Sequence, residues 1–326
     1  MDIFILLVGN IFKSEAKTQF RIDQFILIYI AKIFQIRTML FILKKNSLKQ
    51  LFMLNKNDRR QVMKSLFKDK IETYYDSMSY KLILGDSFKV LENISDESVD
   101  MIFADPPYFL SNDGITCKGG KMVSVNKGSW DKLESNKNSS IENKHEFNRK
   151  WIKLCRRILK PNGSIWISGT FHNIYSIGMA LEQEGYKIIN NMTWQKTYPP
   201  PNLACKCFTH STETILWACK NEKDTKYLYN YKIMKELNEG KQMKDVWSGS
   251  LTKPSEKKEG KHPTQKPRYI LEKIIIASTN EDMVILDPFC GSGTTGVEAI
   301  SQKRKFIGID INKEYLEITK KRMEKL

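Results

Sequence analysis

The stretch that decides the fold is Val284-Ile285-Leu286-Asp287-Pro288-Phe289-Cys290-Gly291-Ser292-Gly293-Thr294-Thr295-Gly296. An apolar run with strand character enters a glycine-rich turn, and a helical pattern follows through Ser301. Gly291-x-Gly293-x-x-Gly296 has the spacing of a dinucleotide-binding turn, and Asp310 lies 19 residues beyond Gly291 at the end of the next apolar run. An acid at that place suits a ribose hydroxyl. Two ligand classes share these features: nicotinamide dinucleotides and S-adenosylmethionine. Asp287 stands where a pyrophosphate would sit, and a carboxylate there repels phosphate but accepts from an ammonium group. That favours S-adenosylmethionine over a nicotinamide oxidoreductase.

Working outward, short apolar runs alternate with helical stretches, the pattern of an α/β protein with a mostly parallel sheet. Strands are predicted at Lys81–Leu84, Val99–Ala104, Ser164–Ser168, Lys187–Trp194, Thr214–Ala218, Met283–Leu286 and Lys305–Ile309. Helices are predicted at Lys144–Leu159, Ile174–Glu184, Arg268–Ser278, Thr294–Ser301 and Lys313–Glu324. Asn112–Asn143 reads as a polar loop. Trp194 and Trp217 read as core residues.

The second informative stretch is Asp105-Pro106-Pro107-Tyr108, directly after the run Val99–Ala104. A carboxylate at a strand's carboxyl end lies at the edge where open α/β sheets bind ligands. The prolines fix the backbone and remove two donors, so nearby carbonyls are offered as acceptors. The tyrosine adds a flat face. An acceptor carboxylate, an acceptor carbonyl and a ring fit a planar group carrying an exocyclic amine, as a nucleobase does. Two acceptors on that amine favour a more tetrahedral nitrogen with a freer lone pair.

The chain resembles the β class of DNA adenine-N6 methyltransferases, a circularly permuted form of the methyltransferase fold. The Asp-Pro-Pro-Tyr motif comes first and the cofactor glycines last, about 180 residues later. Further stretches carry the likeness: GTFHNIY (Gly169–Tyr175), TWQK (Thr193–Lys196), HSTE (His210–Glu213) and KHPTQKP (Lys261–Pro267). Within the class it is most similar to GATC-modifying second methyltransferases of restriction–modification systems. The likeness runs from about Tyr80 to the C-terminus.

The resemblance implies a seven-stranded-type, mostly parallel sheet with an inserted target-recognition segment, and methyl transfer from S-adenosylmethionine to adenine N6 in DNA. Asp105, Pro106, Pro107 and Tyr108 would hold and stack the target base. Asp287, Phe289, Gly291, Gly293 and Thr294 would form the cofactor turn, with Asp310 at the ribose and Asp86 near the cofactor's adenine. Thr264, Gln265 and Lys266 match the segment that meets the methionine carboxylate. His210 and Glu213 read as structural. No metal is expected, since a sulfonium methyl is already activated. An N4-cytosine or RNA amine methyltransferase, or a non-catalytic DNA-binding relative, stays as the alternative.

The implied division is a 1–78 extension (accessory helices or an upstream start), a 79–219 catalytic half, a 220–260 recognition segment and a 261–326 cofactor half. Lys220–Gly260 interleaves basic residues with Tyr227, Tyr229, Tyr231 and Trp247, which suits phosphate contact and base stacking; a solvated face reads equally well.

The 326 residues carry a net charge of +16, which favours a polyanionic partner, DNA in single- or double-stranded form. Ile3–Val8 and Phe25–Leu43 are apolar, but Lys32 and Arg37 interrupt the longer run, so no membrane span is expected. Six scattered cysteines and no secretory signal point to reduced thiols and a cytoplasmic protein. Cys205-x-Cys207 with His210 and Cys219 lacks paired zinc-ligand spacing. A restriction endonuclease is the expected functional counterpart, without a stable complex, and a homodimer stays open.

Overall fold

The computed structural model describes residues 61, 63, 65–69, 71–108, 115–118, 121–124, 141–221 and 226–326. These belong to one unit, Arg60–Leu326; Met1–Arg59 is a separate unit outside the described residues, as are both N-terminal apolar stretches.

The elements run β1 (Tyr75–Asp76), β2 (Tyr80–Leu84), α1 (Ser87–Asn93), β3 (Val99–Ala104), β4 (Ile115–Lys118), β5 (Lys121–Ser124), α2 (Ile141–Ile158) and β6 (Leu159–Gly169). Then come α3 (Ile174–Gln183), β7 (Lys187–Lys196), β8 (Thr212–Cys219), α4 (Tyr231–Leu237), β9 (Val246–Gly249) and α5 (Arg268–Ser278). The chain ends with β10 (Val284–Asp287), α6 (Thr294–Ser301), β11 (Lys305–Asp310) and α7 (Lys313–Met323).

Nine strands form one sheet in the order β1-β2-β11-β10-β3-β6-β8-β7-β9. The run from β2 to β6 is parallel, β8 is antiparallel to both its neighbours, and β9 joins β7 in parallel. The expected α/β sheet is therefore present, widened at its edges by β1 and β9. Parallel strands covered on both faces read as continuous apolar runs, and Val284–Asp287 is buried throughout.

Alternation sorts the two faces. Ile102, Ile165, Leu286 and Ile307 pack toward α1, α2 and α3. Met101, Trp166, Ile285 and Phe306 pack toward α5, α6 and α7. Trp166 stacks on Trp217 at 4.7 Å and donates to Ser278 Oγ. Trp194 and Trp217 are both core residues, as expected.

One of the expected boundaries shifts. Met63 and Leu66 are buried in the main core, and β1 pairs with β2, so residues 60–78 belong with the fold rather than with an extension. Deleting residues 1–78 strips both side chains from the core. It is expected to lower stability by about 2–5 kcal/mol for each buried side chain lost, measured by denaturant unfolding. Within the span 220–260, β9 completes the sheet, and Met234 and Trp247 are buried in its core. Tyr227 and Tyr229 lie against Trp217 at 5.4 and 5.5 Å, Tyr227 partly buried and Tyr229 exposed. The sequence pattern could not separate an edge strand from a DNA face, because aromatic–basic interleaving suits both.

Asn112–Asn143 falls mostly outside the described residues; within it β4 and β5 pair as an antiparallel hairpin. Among the described residues, no helix is long and apolar enough to cross a membrane.

Candidate active site

The carboxyl ends of β2, β3, β10 and β11 lie side by side and open into one cleft. Its lining includes every sequence-predicted site residue except Gly293: Asp86, Asp105, Pro106, Pro107, Tyr108, Thr264, Gln265, Lys266, Asp287, Phe289, Gly291, Thr294 and Asp310. Gly293 shapes the turn from behind.

The turn is built by backbone conformation. Gly291 and Gly293 hold φ of 53° and 71°, a region that L side chains rarely adopt. Asp287 Oδ1 accepts from the Phe289 N–H at 3.0 Å, and Thr295 Oγ1 donates to Oδ2 at 2.5 Å. Asp310 accepts from the Gly291 N–H at 2.7 Å and the Asn312 N–H at 2.8 Å. Both carboxylates thus brace the turn while facing the cleft. Burial pushes the Asp287 carboxyl up to about 7 and also raises that of Asp310. Gly296, inside α6, leaves no room for a Cβ: Phe306 would stand 2.5 Å away.

Asp86 is the N-cap of α1, accepting from the N–H groups of Phe88 and Lys89 at 3.0 and 3.2 Å. It lines the cleft, and its carboxylate has this local structural task there.

The Asp-Pro-Pro-Tyr side is not open in the way the sequence suggests. Asp105 Oδ1 accepts from the Tyr108 hydroxyl at 2.5 Å, and Lys266 Nζ donates to Oδ2 at 2.8 Å and to the Tyr108 oxygen at 3.1 Å. Lys266 also lies 3.2 Å from Glu213 Oε2, while Lys196 Nζ is 2.7 Å from Glu213 Oε1. Two ammonium groups and two carboxylates therefore form a chain, Lys196–Glu213–Lys266–Asp105. Burial alone would lower the Lys266 pKa, but Asp105 and Glu213 outweigh it and hold the ammonium charged well above the usual lysine range. Burial works against the Glu213 carboxylate too, yet Lys266 and Lys196 keep its pKa below the ordinary value.

This pairing changes the reading of Lys266, whose ammonium serves the Asp105 carboxylate rather than standing free for a ligand's. Thr264 lies beside His262, and Gln265 donates from Nε2 to the Glu256 carbonyl at 3.0 Å. Gln265 Oε1 is buried with no hydrogen-bond partner, an acceptor at the cleft wall.

Sequence reasoning missed three contributors, Lys196, Arg322 and His262, and read a fourth, Glu213, as structural. Glu213 and Lys196 join the site through the pairing of β7 with β8, where Trp194 faces Glu213. Arg322, from α7, donates to the Ser292 carbonyl and to Thr294 Oγ1, clamping the glycine turn. His262 faces Gly291, and burial with Lys266 nearby holds its pKa down to about 4, so the ring is neutral. Nothing local in the sequence marks these contacts. His210 stacks on Phe171 at the surface. Cys219 is buried on β8 while Cys205 and Cys207 are exposed; among the described residues no His, Cys, Asp and Glu side chains gather to hold a metal.

The cleft's charged lining decides which ligand fits. Asp86, Asp105, Asp287 and Asp310 face a single lysine, which is already paired. Such a surface rejects a pyrophosphate and suits a ligand with a positive centre and hydroxyl donors.

Residues 99–321 match a DNA methylase family, the N6/N4 methyltransferases. Type II methyltransferase M2.LlaDCHI of Lactococcus lactis subsp. cremoris is 67% identical over 252 residues, 77% of this chain and 92% of that protein. Type II methyltransferase M2.DpnII of Streptococcus pneumoniae is 65% identical over 251 residues, with 77% and 92% covered. Among solved structures, the M1.HpyAVI–SAM complex is 27% identical with a TM-score of 0.55, covering 75% of this chain and 98% of that one. The cytosine-N4-specific PvuII DNA methyltransferase shares the fold, with a TM-score of 0.60 at 20% identity over 77% of this chain and 89% of that one.

Proposed function

Because the chain belongs to the N6/N4 DNA methylase family, we propose that it is a site-specific DNA methyltransferase that methylates adenine N6 in GATC, with S-adenosylmethionine as donor. The observation that carries this reading is Asp105. Its carboxylate stands at the end of β3, in a cleft whose other acids favour a cationic ligand with hydroxyls.

The residues divide the work. Asp310 accepts from ribose hydroxyls, and Asp287 accepts from the ligand's ammonium. Phe289, Gly291, Gly293 and Thr294 shape the wall between them, with Thr264 and Gln265 opposite. When bound, S-adenosylmethionine supplies a methyl group already activated on a sulfonium sulfur. Tyr108 stacks on an adenine turned out of the helix, at an unstacking cost of a few kcal/mol. Asp105 and the Pro106 carbonyl accept from N6 and aim its lone pair, so the gain is in positioning and electrostatics. GATC follows from the likeness to GATC-modifying members of the class. The same likeness places the enzyme in a restriction–modification system in the cytoplasm, with a cognate endonuclease as functional counterpart.

The Asp287 carboxyl, raised to about 7 by burial, sets a pH dependence. Only its ionised form attracts an ammonium, and it is protonated below about 7. Cofactor affinity is therefore expected to weaken as pH falls from 8 to 6, approaching tenfold per unit at the acid end. Calorimetric titration with S-adenosylmethionine checks this, and Asp287→Asn should bind weakly with that dependence gone. An affinity flat over this range in the unaltered protein contradicts the assignment.

The functional reading is tested with paired oligonucleotides, one containing GATC and one GTTC, each single- and double-stranded. Transfer of labelled methyl only to GATC is expected. Label in both retains the adenine activity and removes the site assignment; label in neither, from protein that binds the cofactor, removes the reading.

A further inference from the structure

Both oxygens of Asp105 are engaged: Oδ1 by the Tyr108 hydroxyl and Oδ2 by the Lys266 ammonium. Each oxygen keeps a further lone pair, so an incoming amine can reach the carboxylate, but it has to share Oδ2 with a full positive charge that draws on the same electron density. Lys266 cannot leave for solvent, because its side chain is only 7% exposed.

One alternative anion is within reach. Glu213 Oε2 is buried and already pairs with the Lys266 ammonium at 3.2 Å, a longer contact than the 2.8 Å that Lys266 makes to Asp105. Its other oxygen is fixed by Lys196 at 2.7 Å, and the β7–β8 register anchors both residues. Glu213 is therefore a held carboxylate whose contact to Lys266 can tighten, in reach of the same ammonium as Asp105.

We propose that Glu213 is a positioning residue for methyl transfer: it takes the Lys266 ammonium when the target amine arrives and so releases Asp105 Oδ2 to that amine. The proposal rests on the reading that Asp105 holds the amine. No bond to carbon changes and no proton is transferred. The ammonium exchanges one carboxylate for another, and the buried chain keeps two positive and two negative charges throughout. The small movement required, within a group already in contact with both anions, explains why a second lysine is needed behind Glu213. Lys196 keeps the receiving carboxylate in place and ionised while Lys266 moves.

The test is a double-mutant cycle. Glu213→Gln keeps the side chain's size and removes its charge, leaving Asp105 as the one anion for Lys266. The expected result is a fall in kcat of about 10–100-fold, the range for loss of a hydrogen bond to a charged group, with S-adenosylmethionine affinity and the KM for DNA within about twofold. Adding Lys266→Gln removes the competing ammonium, so the double variant should recover at least about fivefold over Glu213→Gln alone. A merely structural Glu213 gives no recovery. Thermal unfolding is followed in parallel, and recovery must exceed what any regained folded fraction supplies. If Glu213→Gln does not fold, Glu213→Asp keeps the charge and shortens the reach; it should lose kcat and regain it with Lys266→Gln in the same way. A wild-type kcat in Glu213→Gln, or a double variant slower than the single, overturns the proposal. Wild-type enzyme that methylates adenine, with Asp105→Asn inactive, keeps the functional reading standing in that event. Wild-type enzyme with no adenine transfer overturns both.

Discussion

Asp105→Ala is expected to lower methyl transfer by at least about 10²–10³-fold while cofactor binding survives. The size follows from what the side chain does: one preorganised electrostatic contact at a reacting group is worth about that factor. The cofactor surface proposed above lies elsewhere in the cleft, on Asp287, Asp310 and the glycine turn. The substitution also leaves the Lys266 ammonium with Glu213 as its remaining anion. Removing one partner of a buried pair costs about 3–5 kcal/mol when nothing replaces it, and Glu213 reduces that loss. Asp105→Asn is the cleaner variant, because it retains the shape and an acceptor for Lys266. Both should bind S-adenosylmethionine as the unaltered protein does, read by calorimetry, and both should fail in a labelled-methyl assay. Full activity in either removes Asp105 from the reaction.

Gly293→Ala carries the second large effect, and here stability and cofactor binding should fall together. Gly293 has a φ of 71°, where a Cβ is strained by about 1–2 kcal/mol. That Cβ would also lie 2.3 Å from Thr319 Cγ2. Thr319 is fully buried on α7, and its hydroxyl donates to the Gly291 carbonyl at 2.9 Å. It cannot yield without breaking a bond that shapes the same turn, at about 1 kcal/mol or more. A total near 3 kcal/mol lowers the melting temperature by about 6–12 °C in a domain of this size. Gly291→Ala should be milder in packing, since its Cβ would meet His262 at 3.1 Å. A Gly293→Ala protein that melts and binds cofactor normally would show that the turn has slack which the packing against Thr319 denies.

These two sites differ in how plainly the sequence announces them. The glycine turn is a local device: strand, turn and helix are consecutive, so spacing alone reveals it, and Asp310 follows at a fixed remove. Asp105 is likewise marked by the strand before it and the prolines after it. The partner of Asp105 is a different case. Lys266 lies 161 residues away and Glu213 sits on a third element. Only the sheet order, with β3, β6 and β8 as successive neighbours, brings them to one edge. A lysine in Lys261–Pro267 suggests a carboxylate partner on electrostatic grounds, but the pattern cannot say whether that carboxylate is a ligand's or the protein's own. Trp247 and the tyrosines near it show the same ambiguity. Aromatic residues among lysines look like a nucleic-acid surface, yet β9 pairs with β7 and buries Trp247, while Tyr229 and Tyr231 stay exposed. The residues before Tyr80 carry no period strong enough to place them, yet Met63 and Leu66 lie in the core.

The central claim is that a nitrogen on adenine, held at Asp105, receives the methyl group. Its most direct test is to methylate a GATC oligonucleotide with labelled S-adenosylmethionine, digest the product to nucleosides and separate them. The account predicts that the label co-migrates with N6-methyladenine and is absent when Asp105→Asn replaces the unaltered enzyme. Label in N4-methylcytosine, or label in N6-methyladenine that persists with Asp105→Asn, contradicts it.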